Sequence, residues 1–306
     1  MRIGISGGGS TVDRMIDQAA EAEADGFTSL WYAGATGADP FVVLPLIARG
    51  TANIELGTSI VQTYPRHPVL MANQAAGVAK AMGDTGRFTL GLGVSHRPVI
   101  EGTYGLDYTH NARHLREYLT IVGALLKDGR VSFEGEEYRA ASDLRDRPEQ
   151  PVPVLVAALA AKSLASAGEL AEGTITWMAN ATAIADLIAP TITEAAKGAG
   201  RTEAPRVVCG LPVAVTDDAD AGREVAARQF SIYGMLPNYQ AVLAAGGVRS
   251  PAEAAIVGDE DAVAAAIGGL FAAGATDVWC APFPVGDDRR ASRDRTRALL
   301  KALATG

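Results

Sequence analysis

Short β-branched runs alternate with longer Ala-rich segments of helical period along most of the chain. The first four runs begin near residues 2, 28, 54 and 87, so their onsets are 26, 26 and 33 residues apart. An interval of this size holds one strand and the right-handed helical crossover that leads to the next parallel strand. The spacing therefore predicts a parallel β-sheet covered by helices.

Eight such strands are predicted along the 306 residues. They lie at 2–6, 28–32, 54–60, 87–93, 154–158, 173–177, 206–215 and 276–281. Helices are predicted at 12–25, 41–49, 68–82, 112–127, 161–170, 219–233, 239–245, 259–273 and 291–304. A small hairpin over 131–138 and a charged loop over 142–150 separate the fourth helix from the fifth strand.

This order of elements predicts an α/β fold, a (β/α)8 TIM barrel with insertions after the fourth helix and before strand 8. Residues 1–306 are expected to form a single barrel domain. A dinucleotide-binding sheet is disfavoured, because the glycine-rich segment after strand 1, Gly7–Val12, ends in valine where that fingerprint needs a third glycine. The segment Gly91-Leu92-Gly93 lacks this third glycine as well.

The charge balance narrows the range of partners. The net charge is −8 at pH 7, and such a field repels phosphate backbones and anionic lipid surfaces, so we expect no nucleic acid and no membrane partner. The longest apolar stretch, 152–161, is too short to span a bilayer. Cys209 and Cys280 lie far apart in apolar runs, which is typical of buried free thiols in the reducing cytoplasm.

In a TIM barrel the active site lies just past the carboxyl ends of the strands. The corresponding residues are 6–9, 33–37, 59–67, 94–97, 158–162, 177–180, 211–212 and 282–284. His96 follows strand 4, and Arg97 adds a cation beside it, so we take His96 as a candidate general acid or base. The alternative for His96 is a loop residue that caps a helix. His67, in a turn with two prolines, either contacts a ligand or stabilises the turn.

Two further patterns carry weaker signals. His110 and His114 have the spacing of two zinc ligands on one helix face, but Asn111 stands where a metalloprotease has glutamate, so no metal site is predicted. Gly4-Ile5-Ser6-Gly7-Gly8 matches the G-x-S-x-G pattern of a serine hydrolase, with Ser6 as nucleophile. The alternative is a glycine-rich first loop that allows a ligand close to the backbone.

Several strand-end segments resemble those of the bacterial luciferase-like superfamily. Leu56–Ile60, followed by the turn Arg66-His67-Pro68, resembles its third βα unit, and Arg87–Val94 resembles its fourth strand. The segment Ala158–Trp177 is similar to its fifth and sixth units. The sequence Gly93-Val94-Ser95-His96, with Tyr118 on the following helix, is most similar to the actinobacterial branch that uses coenzyme F-420, a deazaflavin.

The resemblance implies a deazaflavin or isoalloxazine ring at the mouth of the barrel. It implies a non-prolyl cis peptide at Ser59-Ile60 behind the ring, and a phosphate site at 157–162 and 176–178 with Lys162 and Arg66 as counter-charges. The cofactor-binding residues that it implies are Ser59, Ile60, Val61, Val94, Ser95, Ala157, Ala158, Leu159, Lys162, Thr176, Trp177 and Met178.

The resulting hypothesis is an oxidoreductase that transfers a hydride between coenzyme F-420 and a small organic substrate, with His96 as the proton-transfer group. An FMN-dependent monooxygenase of the same superfamily is the alternative. A non-catalytic cofactor-binding homologue is another, because Trp31-Tyr32-Ala33-Gly34 lacks the histidine that several dehydrogenases of the branch carry after strand 2. By analogy with relatives, the chain is a possible homodimer.

Overall fold

The computed structural model describes residues 1–34 and 37–306. Its strands are, in chain order, β1 (Ile3–Ser6), β2 (Ser29–Tyr32), β3 (Glu55–Thr58), β4 (Val61–Gln62), β5 (Phe88–Gly93), β6 (Arg130–Glu134), β7 (Arg139–Asp143), β8 (Val154–Val156), β9 (Gly173–Trp177), β10 (Arg206–Val215), β11 (Ile256–Gly258) and β12 (Asp277–Pro282).

The α-helices are α1 (Val12–Ala24), α2 (Pro40–Ala48), α3 (Pro68–Ala81), α4 (Arg97–Gly102), α5 (Asn111–Asp128), α6 (Ala161–Leu170), α7 (Ala181–Ala183), α8 (Ala189–Gly198), α9 (Ala219–Gln229), α10 (Pro237–Ala245), α11 (Pro251–Ala254), α12 (Glu260–Ala272) and α13 (Arg289–Thr305). A π-helical stretch, Ile184–Ile188, joins α7 to α8, and a 3-10 helix, Ser231–Met235, follows α9.

Eight of the strands form a closed parallel barrel in the order β1-β2-β3-β5-β8-β9-β10-β12. The barrel closes because β12 pairs with β1, with Trp279 opposite Gly4. The strand β4 continues β3 beyond a break and pairs with β5, and β11 extends the sheet beside the end of β10. The predicted (β/α)8 barrel is confirmed.

The inside of the barrel is packed by large side chains from five strands. These are Trp31, Leu155, Ile175, Val208 and Trp279, all buried. Glycines on neighbouring strands make room for the two indole rings. A Cβ atom on Gly57 would lie 2.3 Å from Cζ3 of Trp31, and one on Gly210 would lie 2.1 Å from Cε2 of Trp279. The packing therefore requires glycine at positions 57 and 210, since a larger residue would displace the ring beside it.

The amino-terminal end of the barrel is closed by a four-residue ion network. The guanidinium groups of Arg2 and Arg206 both contact the carboxylates of Glu55 and Asp277, at 2.6 to 2.9 Å. Burial acts to raise the pKa of Asp277, but hydrogen bonds and charge from Arg206 and Arg2 outweigh it and hold that pKa below its usual value. In this fold, groups at that end serve stability.

The segment after α5 differs from its prediction. The residues predicted as the second arm of the hairpin form its turn, and the second strand, β7, includes Ser142 and Asp143, which were predicted as loop. The carboxylate of Glu117 on α5 accepts hydrogen bonds from the backbone N–H groups of Glu136, Glu137 and Tyr138. This contact, which local sequence patterns do not reveal, holds the turn.

Other boundaries also differ. Strand 3 was predicted as continuous over 54–60 but breaks after Thr58, and the fifth strand ends at Val156. The helices α4, α7, α8 and α11 and the strands β4 and β11 were not predicted. Cys209 and Cys280 are free and buried, as predicted. Among the described residues, none of the helices is both long and apolar enough to cross a membrane.

Candidate functional site

The carboxyl ends of the barrel strands form a rim, and the predicted cofactor residues lie together on one half of it. They follow β3, β5, β8 and β9, and each of these strands is hydrogen-bonded to the next. The topology thus brings together residues that are up to about 120 positions apart in sequence. Of the predicted strand-end positions, Ala35 and Thr36 lie outside the described residues.

The break between β3 and β4 contains a cis peptide bond between Ser59 and Ile60, as the resemblance implied. The hydroxyl of Thr58 bridges the gap in the ladder, because it donates to the carbonyl oxygen of Gly91 and accepts from the N–H of the same residue, both at 2.8 Å. A Cβ atom on Gly93 would lie 2.8 Å from Cδ1 of Ile60. The absence of a side chain at Gly93 therefore makes room for Ile60 at the mouth.

Two further predicted residues have a left-handed backbone. Ser95 follows β5 with a φ of 61°, and Met178 follows β9 with a φ of 63°. Residues other than glycine adopt this region rarely, and they often do so at functional sites. The carbonyl oxygen of Ser95 accepts a hydrogen bond of 2.8 Å from the hydroxyl of Tyr108. The N–H of Met178 donates to the carbonyl oxygen of Gly210 at 3.1 Å.

The predicted cofactor residues differ in accessibility. Val61, Ala158, Thr176 and Met178 are buried. Any contact of these four with a bound molecule is therefore a backbone contact or requires movement. The half-buried ones are Ser59, Ile60, Val94, Ser95, Ala157, Leu159 and Trp177, and Lys162 is exposed. The half-buried set is mainly apolar, which suits one face of a flat ring.

The two predicted phosphate-binding segments are not equivalent. Helix α6 follows β8 and therefore begins at the rim, with Lys162 in its first turn. Ala160, the residue before it, offers no side-chain cap, so the first N–H groups of the helix have no side-chain partner there. The helix that follows β9 is capped by its own residue, because Asn180 Oδ1 accepts from the N–H of Ala183 at 3.0 Å. Free N–H groups at a helix start favour an anion. The start of α6 is thus the better anion site of the two.

Arg66, the second predicted counter-charge, already has a partner. Its guanidinium contacts the carboxylate of Asp39 at 2.5 Å and lies over the ring of Phe41. Asp39 in turn caps helix α2 by accepting from the N–H of Phe41. This arrangement ties Arg66 to the start of α2.

His96 lies at the rim with a half-buried imidazole. The residue precedes α4, but its side chain makes no capping hydrogen bond, so the helix-capping alternative does not describe it. Burial lowers the pKa of His96 below its usual 6.5, so the imidazole is neutral at pH 7. Arg97 does not stand beside it as a free cation, since its guanidinium pairs with Glu101 and donates to the carbonyl oxygen of Tyr108.

A series of aromatic rings, the aromatic arc, extends from the barrel interior to His96. It consists of Trp279, Trp177, Phe230, Tyr233 and Tyr239. Trp177 stacks on Trp279 with ring centroids 5.0 Å apart. Tyr233 lies edge-on to Trp177 at 5.9 Å and to Tyr239 at 4.9 Å, and Tyr239 lies 5.5 Å from the His96 ring.

Sequence reasoning missed three members of the aromatic arc, Phe230, Tyr233 and Tyr239. They belong to the insertion between β10 and β11. Aromatic residues make up only 6% of the chain, so three of them within ten positions was a local signal that could have been used.

Several polar atoms near the mouth are buried without a hydrogen-bond partner among the described residues. They are the hydroxyl of Tyr32, Oγ1 of Thr176, and Nε1 of both Trp177 and Trp279. Most buried polar groups in proteins are paired. Tyr32 stands at the end of β2, and its ring lies so close to Gly7 that a Cβ there would be 2.5 Å from Cζ of Tyr32.

The other three histidines differ from His96 in their partners or in their exposure. His67 begins α3 and its Nδ1 accepts from the N–H of Val69 at 3.2 Å, which is the turn-stabilising role. His114 is buried, and its ring nitrogens contact the hydroxyls of Thr63 and Tyr138 at 2.8 and 3.2 Å. His110 is exposed. Within the described ranges, no group of three metal-ligating side chains occurs.

Ser6 does not form a hydrolase elbow. It ends β1, but α1 begins only at Val12, and the intervening loop is held by Gln18, which contacts the carbonyl oxygen of Ser6 and the N–H of Gly8. Among the described residues, the hydroxyl of Ser6 makes no hydrogen bond to a histidine. The segment therefore fits the alternative of a glycine-rich first loop.

With the barrel and the rim described, comparison with known proteins gives the family. A family model described as luciferase-like monooxygenase matches residues 2–277. The chain therefore belongs to the luciferase-like monooxygenase family, and the resemblance inferred from the strand-end segments is confirmed.

Two curated relatives illustrate the match. The chain is 32% identical over 244 residues to an uncharacterized protein of Mycobacterium tuberculosis, with 75% of this chain and 71% of the relative covered. It is 28% identical over 204 residues to an F-420-dependent glucose-6-phosphate dehydrogenase of Kineococcus radiotolerans, with 62% of this chain and 60% of the relative covered.

Solved structures show the same fold. An F-420-dependent secondary alcohol dehydrogenase in complex with an F-420-acetone adduct superposes with a TM-score of 0.80 at 18% identity, covering 97% of each chain. The oxygenating constituent of 3,6-diketocamphane monooxygenase from Pseudomonas putida, in complex with FMN, gives a TM-score of 0.73 at 18% identity, covering 99% of this chain and 96% of that one.

Proposed function

We propose that this chain is an oxidoreductase that binds coenzyme F-420 at the barrel mouth and exchanges a hydride between it and a small organic substrate. One observation carries the proposal: half-buried apolar side chains and an uncapped helix start lie on the same half of the rim. Ile60 and Trp177 belong to the apolar set, and the uncapped start of α6, with Lys162, is where an anion would bind. A flat ring with a phosphate-bearing side chain needs this combination.

The residues present fit such a cofactor. The half-buried side chains of Ile60, Val94 and Leu159 offer apolar contact to a ring. Curated relatives carry F-420-dependent names, which supports the deazaflavin over FMN. The FMN-bound fold neighbour keeps FMN as the alternative.

When bound, the deazaflavin gives or takes a hydride at C5, and the protein positions it and handles protons. His96 is our candidate for the proton transfer. Its imidazole makes no capping hydrogen bond and is neutral at pH 7, because burial lowers its pKa. A neutral imidazole accepts a proton, so His96 serves as the general base when the substrate is oxidised.

Titration of the purified protein with F-420 and with FMN tests the cofactor. The chain contains three tryptophans, and all of them, Trp31, Trp177 and Trp279, lie in the barrel interior or at its mouth. Their fluorescence therefore reports ligand binding there directly. We expect saturable quenching by F-420 at micromolar concentrations and much weaker binding of FMN. Micromolar binding of FMN alone would favour the monooxygenase, and binding of neither would refute the redox proposal.

A non-catalytic homologue is the second candidate, because Tyr32 and Ala33 stand where several dehydrogenases of the branch carry a histidine. The two candidates differ in a measurable way. A catalyst turns over bound F-420 with some member of an alcohol panel, and His96→Ala abolishes that turnover without changing F-420 affinity. A binding protein shows affinity alone, in both the wild type and the variant.

We further propose that the chain forms a homodimer, resides in the cytoplasm and constitutes one domain over residues 1–306.

The exposed face of helix α2 supports the homodimer. Its sequence, Pro40–Ala48, is apolar on every side, and Val42 and Leu46 remain 64% and 38% exposed. Leu70 on the neighbouring α3 is 49% exposed. A helix that is apolar all round is normally covered, and large exposed apolar patches mark interfaces.

A further inference from the structure

Beside His96, the mouth carries a group of aromatic rings that contact one another. Tyr239 faces His96, Tyr233 packs between Tyr239 and Trp177, and Phe230 lies 6.2 Å from Trp177. Tyr233 and Tyr239 belong to the insertion before β11, which places them over the mouth. Aromatic walls of this kind bind apolar and flat groups by area and by edge-to-face contact.

Three cations occur among the described strand-end residues, Arg66, Arg97 and Lys162, and each has another role. Arg66 is paired with Asp39 and Arg97 with Glu101. Lys162 lies at the start of α6, where we place the phosphate of the cofactor. The loop between β12 and α13 contributes aspartates but no lysine or arginine. At the described strand-end positions, no cation is thus left for a phosphate or carboxylate on the substrate.

The outer edge of the same region is also apolar. Tyr104 and Leu106, after β5, are 41% and 39% exposed, and Ile232 and Met235, after β10, are 52% and 66% exposed. Ile232 and Met235 lie in the same 3-10 helix as Tyr233, and Tyr104 and Leu106 follow α4, the helix that begins after His96. An apolar edge lowers the cost of desolvating an apolar molecule as it enters.

We propose that the substrate is an uncharged, mainly apolar molecule, and that Trp177, Tyr233 and Tyr239 determine this specificity. The chemical class is an alcohol or ketone without phosphate or carboxylate groups, whose oxygen meets His96 while its apolar body contacts the aromatic arc. This inference rests on the proposed function for its redox chemistry. The binding preference itself follows from the rings and the missing cations.

Binding of two probes tests the preference without turnover. The probes are 1-phenylethanol and glucose 6-phosphate, titrated calorimetrically into the protein with and without F-420. We expect saturable binding of 1-phenylethanol and at least about tenfold weaker binding of glucose 6-phosphate, because the cations at the described strand-end positions already have other partners or roles. Equal or tighter binding of glucose 6-phosphate, or no binding of 1-phenylethanol, overturns the inference.

Variants in the 3-10 helix locate the site. Tyr233→Ala removes one ring of the arc and is expected to weaken binding of 1-phenylethanol by about tenfold. Ser231→Ala, at the exposed first residue of the same 3-10 helix, is the matched control and leaves both affinities unchanged. Tyr233→Leu keeps apolar volume and gives an intermediate loss, which guards against misfolding of the alanine variant. Unchanged binding in both Tyr233 variants contradicts the inference.

The two proposals fail separately. If F-420 does not bind but 1-phenylethanol binds in a Tyr233-dependent manner, the assigned cofactor is wrong and the substrate class stands. If F-420 binds with normal affinity to the wild type and to Tyr233→Ala while 1-phenylethanol shows no preference over glucose 6-phosphate, the cofactor stands and the substrate class is wrong.

Discussion

At the scale of single residues, the four histidines show how burial and partners assign different roles to one side chain. His96 is half-buried without a capping bond, His67 caps a helix, and His114 is buried between two hydroxyls. His110 is exposed near Glu137, at 3.3 Å. The sequence spacing placed His110 and His114 on one helix face, but His114 is buried and His110 is exposed.

The pH profile of turnover tests His96. Because burial lowers its pKa, kcat/KM for alcohol oxidation is expected to fall on the acidic side with an inflection below pH 6.5. His96→Gln keeps a polar group of similar size but cannot accept the proton, so kcat should fall by about 10² to 10⁴ and the inflection should vanish. A retained inflection in this variant would assign the proton to another group.

The pH dependence of stability tests His114. Burial lowers its pKa to about 4, so the folded state binds its proton more weakly than the unfolded state. Its contribution is fully present above about pH 6.5 and is lost as the pH falls towards 4, amounting to about 3 kcal/mol. In urea unfolding between pH 7 and pH 4.5, His114→Gln should lose stability less steeply than wild type. The matched variant, His110→Gln, should follow the wild-type curve.

At the scale of elements, the barrel depends on glycines that face large rings. Gly210 on β10 admits the Trp279 ring, and Gly57 on β3 admits Trp31. Such positions cannot be predicted from strand patterns, because the constraint comes from a neighbouring strand far along the chain. The same is true of the hairpin, whose turn is held by Glu117 from α5.

Substitution of Gly210 tests this packing. A Cβ at this position would lie 2.1 Å from the Trp279 ring, so Gly210→Ala must displace the indole. We expect a loss of about 1 to 3 kcal/mol in the free energy of unfolding, measured by denaturant titration. Gly77→Ala, in helix α3 with no atom within 4 Å of the added methyl group, should be neutral or stabilising. Equal effects of the two substitutions would contradict the account.

At the scale of the whole molecule, the barrel was predictable because the regular spacing of βα units leaves few topologies to consider. That the predicted cofactor residues lie together was also predictable, because they follow strands that are neighbours in the barrel; their role stays a prediction. The aromatic arc was not, because Tyr239 meets His96 across more than a hundred residues of chain. The sequence of helix α2 is apolar throughout, and the structure adds that Val42 and Leu46 are exposed.

The oligomeric state tests the exposed face of α2. If Val42 and Leu46 lie in a dimer interface, Leu46→Glu places a charge in it and should convert the dimer to monomer in sedimentation velocity. Leu106→Glu is the control, because Leu106 is about as exposed but lies after β5. A wild-type protein that is monomeric at micromolar concentrations would refute the proposal at once.

The central proposal is that the cofactor binds with its phosphate at the start of α6. The most direct measurement is the dissociation constant of F-420, determined by tryptophan fluorescence at low and at high salt. It is compared between wild type, Lys162→Ala and Lys197→Ala, and Lys197 is an exposed lysine of α8. We expect Lys162→Ala to bind F-420 about tenfold more weakly and with reduced salt dependence, and Lys197→Ala to match wild type. Equal affinities for all three proteins would contradict the account.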